Sequence, residues 1–173
     1  RVADAMGQPL PPGTQGEIWL RGVTVMSGYW RDAQATAAAM QADEGWFRTG
    51  DVGYLDDEGF LFIVDRIKDV INRCGEKIAA AEVESCLLQL PDVLEAAVFA
   101  VPDEDTGEAV VAVVSVREGC GLDAQALHAH VGAHLAAYKV PASIHVLTEA
   151  LPRNPAGKLL KAQLRSTFVA ARD

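Results

Sequence analysis

The sequence predicts an α+β fold in which a β-rich segment precedes a compact domain of helices and strands that begins at about residue 69. Three observations carry this. From Gly59 to Ile71, two runs of β-branched and aromatic residues are interrupted by Asp65-Arg66-Ile67-Lys68-Asp69, so a pair of strands is broken where polar side chains must face water or a ligand. Val83, Cys86, Leu87 and Leu90 recur at helical spacing between Ala79 and Leu90, and Pro91 then stops the pattern. The runs Val93–Val101 and Ala109–Val116 are separated by the polar turn Pro102-Asp103-Glu104-Asp105-Thr106-Gly107 and should pair antiparallel.

Taken in order, residues 1 to about 30 hold Pro9, Pro11, Pro12, Gly13 and Gly16 around Glu17–Gly22, which makes a turn-bounded strand. Asp32 to Met40 is rich in helix formers behind an acidic first residue, and this short helix should end before Glu44-Gly45. Trp46–Thr49 and Val52–Leu55 are expected as two short strands flanking Gly50-Asp51, with a turn at Asp56–Gly59. Farther on, Asp123 caps a helix running through Leu135, Ile144–Leu147 gives a third strand, and Lys158–Phe168 gives a last helix.

Of the 173 residues half are hydrophobic, enough for one well-buried core or for one domain plus part of another. Fifteen Lys and Arg against 24 Asp and Glu leave a net charge of -9, which argues against a broad nucleic-acid surface. Any anion site is therefore local. Tyr138 to Asp173 inverts the balance, with Lys139, Arg153, Lys158, Lys161, Arg165 and Arg172 against Glu149 and Asp173. Cys74, Cys86 and Cys120 fit no disulfide or metal spacing; they are taken as packing residues, and a reducing, cytoplasmic setting is expected. No apolar run reaches the roughly 20 residues of a membrane span. No secretory leader opens the chain, and the opening Arg1-Val2-Ala3-Asp4 without a methionine suggests a fragment.

Certain residues carry chemistry by type and place. A glycine before Asp51 lets the backbone turn tightly and present two acceptor oxygens, which suits a vicinal diol. Arg66 follows a strand and is flanked by Asp65 and Asp69, carboxylates that could orient its guanidinium fork. Lys158 stands in the Pro/Gly loop Leu151-Pro152-Arg153-Asn154-Pro155-Ala156-Gly157-Lys158, a mobile setting from which an ammonium can stabilise developing charge without transferring a proton. His130 and His134 have metal-ligand spacing on one helix, but with no third ligand nearby they are taken as surface or packing histidines and no metal site is expected.

Thr49-Gly50-Asp51, Asp65-Arg66-Ile67-Lys68-Asp69, Gly75-Glu76, Tyr138-Lys139-Val140-Pro141 and Pro155-Ala156-Gly157-Lys158, in that order and spacing, resemble the carboxyl-terminal part of the adenylate-forming superfamily. That superfamily includes acyl-CoA synthetases, firefly luciferase and peptide-synthetase adenylation domains, and the likeness is greatest to the acyl-CoA synthetases. It implies that residues 1–67 are the end of a large AMP-binding domain and 68–173 the small lid domain, a β-hairpin and a three-stranded sheet packed with helices. By the resemblance, the Thr49 segment contacts nucleotide, Asp51 accepts both ribose hydroxyls of ATP, and Arg66 is a second ribose or phosphate ligand. Lys68 marks the hinge about which the lid turns. Gly75 and Glu76 lie at the tunnel for the pantetheine thiol, Lys139 touches a CoA phosphate, Glu82 is structural, and Lys158 bridges the substrate carboxylate and the α-phosphate.

The implied substrates are ATP with Mg²⁺, CoA and a carboxylic acid, with a fatty acid first and an aryl acid second. The implied partner is the amino-terminal domain of the same polypeptide, which in the family holds the phosphate loop and the acyl pocket, so the fragment alone should be inactive. An adenylation domain that loads a carrier protein and a non-catalytic interaction domain are the alternatives.

Overall fold

Strand and helix signals become ten strands and four α-helices among the described residues of the computed structural model, which are 1–41 and 45–169. The chain divides into two compact units, Arg1–Lys68 and the remainder from Asp69 onward.

The first unit is an antiparallel sheet. Strands β1 (Val2–Ala3), β2 (Gly16–Leu20), β3 (Met40–Gln41), β4 (Trp46–Leu55) and β5 (Leu61–Arg66) are arranged β1-β2-β4-β3, with β5 also on β4. Helix α1 (Ala33–Ala39) is capped by Asp32, whose carboxylate accepts the Ala35 N–H. It stops at Ala39 because Met40 turns into β3; Glu44, where its limit was expected, lies outside the described residues. The two short strands expected around Gly50 are a single strand. Gly50, at φ +73°, absorbs the irregularity, so Thr49, Gly50 and Asp51 together oppose Ile18 between the Glu17–Val52 and Trp19–Arg48 pairs. Tyr54 and Phe62 face each other across β4 and β5 and stack with centroids 5.1 Å apart. Little of this unit's apolar surface is buried: Val23, Trp30, Phe60, Phe62 and Ile63 are exposed.

A 3₁₀ turn, Ile67–Asp69, leads from β5 into the hairpin β6 (Val70–Arg73) and β7 (Glu76–Ala79). Helix α2 (Ala80–Leu87), strands β8 (Val93–Asp103) and β9 (Gly107–Val116), helix α3 (Ala124–His134), strand β10 (Ser143–Leu147) and helix α4 (Lys161–Val169) complete the second unit. The sheet order is β10-β9-β8, with β8 antiparallel and β10 parallel to β9, the latter reached through α3. Helix α2 ends at Leu87, short of the expected Leu90, in a turn closed by Leu90 N–H to the Leu87 carbonyl just before Pro91. Helix α4 begins at Lys161, since Asn154 to Lys158 is closed into a loop by hydrogen bonds of its own.

Period-two alternation gives this sheet two buried faces. Val98, Val110, Ala112, Val114 and Ile144 pack with Ile71 and Ile78 of the hairpin, Val83 and Leu87 of α2, and Leu127 and Val131 of α3. Ala97, Phe99, Val101, Val111 and Val113 pack on the other side with Leu151, Leu159 and Leu164. The hairpin and the Lys158 loop are thereby attached to opposite faces. No described helix is long and apolar enough to cross a membrane.

Candidate functional site

In the first unit, register makes the acid–base pair. Asp51 of β4 lies directly opposite Arg66 of β5, and Arg66 Nε approaches Asp51 Oδ1 at 3.3 Å, with both side chains partly exposed. The carboxylate that meets the guanidinium is thus cross-strand Asp51. Asp65 instead accepts the Arg66 backbone N–H at 2.7 Å. The Thr49 hydroxyl donates to the Ile18 carbonyl at 2.8 Å and accepts the Asp51 N–H at 3.0 Å, so it builds the bulge that presents Asp51. Glu17 completes that support: one oxygen accepts from Trp19 Nε1 and Arg48 Nε, the other from the Gly50 N–H. The sequence marked Glu17 only as part of a structural segment, and its bonds fit that role.

In the second unit, Arg73 and Glu76 pair across a two-residue hairpin turn in which Cys74 (φ 52°) and Gly75 (φ 88°) are both left-handed. A Cβ on Gly75 would meet nothing within 4 Å, so the backbone conformation is what calls for glycine here. Cys74 is exposed in this turn, contrary to the packing role expected for all three cysteines. Arg73 Nη1 donates to the Tyr138 carbonyl at 2.8 Å and ties the hairpin to the Tyr138-Lys139 segment. Lys139 Nζ grips both carboxylate oxygens of Glu82, at 2.6 and 2.7 Å. Its ammonium is therefore not free for a phosphate unless Glu82 releases it.

The loop around Lys158 is tied in place rather than loosely held. Asn154 N–H donates to the Lys158 carbonyl at 2.9 Å, Lys158 N–H to Asn154 Oδ1 at 2.8 Å, and Leu160 N–H to the Pro152 carbonyl at 2.8 Å. Glu95 of β8 accepts the Leu151 N–H at 2.7 Å and the Arg153 Nε at 2.8 Å. Burial alone would raise the Glu95 carboxyl, but the Leu151 N–H and the Arg153 guanidinium outweigh it and hold it below the usual carboxylate range. The basic carboxyl-terminal stretch is thus largely neutralised from elsewhere: Lys139 by Glu82, Arg153 by Glu95, and Lys161 by Glu84 at 2.8 Å. Arg165 lies over the Phe99 ring, and Arg172 and Asp173 fall outside the described residues. Among the described residues Lys158 is exposed and has no ion-pair partner. Glu84 and Glu95 had no signal in the sequence.

Folding also supplies the third donor near His130 and His134 that sequence spacing lacked, buried Cys86 of α2, with donor atoms within 4.8 Å of one another. The two imidazole rings are tilted by 38° with centroids 4.3 Å apart. His130 Nε2 bonds the Cys86 carbonyl at 3.0 Å and His134 Nδ1 the His130 carbonyl at 2.8 Å. Burial, and then the Glu82 charge, push the Cys86 thiol up and disfavour a thiolate.

With this geometry in view, known proteins give a consistent likeness. Residues 82–158 match the family described as AMP-binding enzyme C-terminal domain. The chain is 46% identical to 2-succinylbenzoate–CoA ligase of Geobacillus kaustophilus over 92% of its own length and 32% of that protein. It is 42% identical to the long-chain-fatty-acid–CoA ligase FadD13 of Mycobacterium tuberculosis over 90% of its length and 30% of that protein. It superposes on ATP-bound MatB of Rhodopseudomonas palustris with a TM-score of 0.91 and 36% identity, covering all of this chain and 34% of that one. The chain thus spans about a third of the length of the curated relatives it matches.

Proposed function

Because this chain belongs to the adenylate-forming superfamily and corresponds to the carboxyl-terminal part of its enzymes, we propose that it is the rotating lid, with the adjoining edge of the large domain, of an ATP-dependent acid–CoA ligase. In the first half-reaction the substrate carboxylate attacks the α-phosphorus of Mg-ATP to give an acyl-adenylate and pyrophosphate. In the second, the CoA thiol displaces AMP and leaves the thioester.

One observation carries the proposal: the Lys158 loop and the Gly75 hairpin stand on opposite faces of one three-stranded sheet. A rigid body built in this way can offer one face for adenylation and the other for thioester formation if it turns about its connection. Lys68 is the proposed pivot; it is exposed in a 3₁₀ turn, and the division between the compact units falls just after it. Lys158 is the proposed ligand of the α-phosphate and substrate carboxylate, Asp51 with Arg66 the ribose ligands on the bulge that Thr49 supports, and Gly75, Glu76 and Lys139 the thiol-side residues. Binding energy spent only in the transition state raises turnover, which fits an ammonium that arrives with the lid.

The exposed apolar side chains of the first unit suit a partner in the amino-terminal domain of the same polypeptide, and three free cysteines suit a reducing, cytoplasmic setting. A fatty acid is the proposed substrate; the identity to the 2-succinylbenzoate ligase makes an aryl acid the second candidate. The test is acid-dependent ATP–pyrophosphate exchange by the full-length polypeptide, with fatty and aryl acids as separate arms, followed by addition of CoA. Exchange with one class and CoA-dependent AMP release support the proposal. A full-length polypeptide with no exchange for either class, or an isolated 173-residue chain that makes adenylate on its own, overturns it.

A further inference from the structure

An exposed lysine with four rotatable side-chain bonds can be preorganised by the protein mainly through its backbone. At Lys158 both polar ends of the preceding peptide unit are held. The Gly157 carbonyl accepts from Arg153 Nη1 at 2.7 Å, and the Lys158 N–H donates to Asn154 Oδ1 at 2.8 Å. The rest of the Arg153 fork faces the other way: Nε and Nη2 reach Glu95 Oε1 at 2.8 and 2.5 Å, while Glu95 Oε2 takes the Leu151 N–H at 2.7 Å. Glu95 belongs to the edge strand β8, paired to Ser115 of the central strand β9 near the end of their ladder. A continuous polar connection thus runs from the sheet through Glu95 and Arg153 to the peptide that carries Lys158.

We propose that Arg153, oriented by Glu95, is the positioning residue that sets the backbone of Lys158 for adenylation. The proposal rests on the assignment of Lys158 given above and adds two residues to it. A plain stapling role for the ion pair accounts for less. A half-exposed ion pair adds little to stability, and Leu151, Leu159 and Leu164 already pack the segment against Phe99 and Val111. Stapling also gives no reason for the third arm of the fork to end on the Gly157 carbonyl. Arginine is needed for this geometry, since a lysine ammonium has no planar fork with which to serve two partners on opposite edges.

The experiment uses the full-length polypeptide with Arg153→Ala and Arg153→Lys, each alone and combined with Lys158→Ala. Adenylation is read by acid-dependent pyrophosphate exchange, thioester formation from supplied acyl-adenylate, and folding by thermal melting. Misplacing a reacting group by about 1 Å can cost on the order of a hundredfold, so either Arg153 substitution should lower the adenylation kcat by roughly ten- to a hundredfold. The KM for ATP and the thioester step should stay within about twofold. In the Lys158→Ala background the Arg153 substitutions should cost nothing further, because the group they position is gone. Arg153→Lys keeps a cation beside Glu95 and preserves the test if Arg153→Ala fails to fold. Equal slowing of both half-reactions, or a loss that multiplies the Lys158→Ala deficit, overturns the positioning role while leaving Lys158 in place. Unchanged adenylation in Lys158→Ala alone overturns the assignment of Lys158, and the positioning role with it.

Discussion

The two faces of the β8–β9–β10 sheet are built alike and charged differently. Each buries every second residue of β8 and β9 against helices and a tied loop or hairpin. On the hairpin face, Lys139 is locked to Glu82 and Arg73 to the Tyr138 carbonyl. On the other, Arg153 and Lys161 are neutralised by Glu95 and Glu84, and Lys158 is left with a fixed backbone and no ion-pair partner among the described residues. The difference teaches that within the basic stretch from Tyr138 onward, pairing rather than number leaves Lys158 as the lysine without an ion pair among the described residues; outside that stretch Lys68 and Lys77 are exposed and without an ion pair as well.

The largest effect comes from damaging what both faces share. Phe99 is fully buried in the sheet, and Phe99→Ala should cost about 3–5 kcal/mol. Melting should show a large fall in the second unit's stability, with both half-reactions lost together; loss of only one would mean that the faces do not depend on a common core.

Lys68→Pro attacks the connection and leaves both faces whole. Proline fixes φ near −65°, so a pivot that must visit two backbone states is held in one, and thioester formation should fall on the order of a hundredfold with adenylation nearly intact. Lys68→Ala leaves the backbone free and should be mild. If the alanine variant proves as damaging as the proline variant, the side chain and not the rotation is what matters.

On the hairpin face, Gly75→Ala forces an L-residue to φ near +88° and should cost about 1 kcal/mol of stability, read as a lower melting point. Thioester formation should slow while adenylation is spared; the reverse pattern would exchange the roles of the two faces. The smallest effect belongs to Lys139→Gln. Its exposed pair with Glu82 is worth within about 1 kcal/mol, so melting should hardly change and only the KM for CoA should rise, by a few-fold. An unaltered KM removes Lys139 from the thiol side.

Much of this was legible before folding. The sheet alternation, the short helix at Asp32, the Asp123 cap and the break around Lys68 are local patterns of one or two turns of chain, and the structure repeats them, with Asp32 serving as a cap rather than as the first helical residue. The continuity of β4 was not, because Gly50 reads as a strand end and only the cross-strand partners reveal a bulge. Nor were the contacts that decide which lysine of the basic carboxyl-terminal stretch is unpaired. Glu95 meets Arg153 across 58 residues and Glu82 meets Lys139 across 57, and an ion pair that closes so long a loop leaves no periodic trace. The same holds for Cys86, brought beside His130 from 44 residues away. The Asp51–Arg66 pair lies between these cases: both residues stood out, but the partner expected for Arg66 was a sequence neighbour, and the sheet register chose otherwise.

The central claim, that one face serves adenylation and the other the thiol, is tested most directly by measuring both half-reactions in full-length Lys158→Ala. Loss of one preorganised transition-state ligand predicts that acid-dependent pyrophosphate exchange falls roughly a hundredfold or more, while the conversion of supplied acyl-adenylate and CoA to thioester is largely spared. Equal loss in both half-reactions would contradict the division of labour between the two faces.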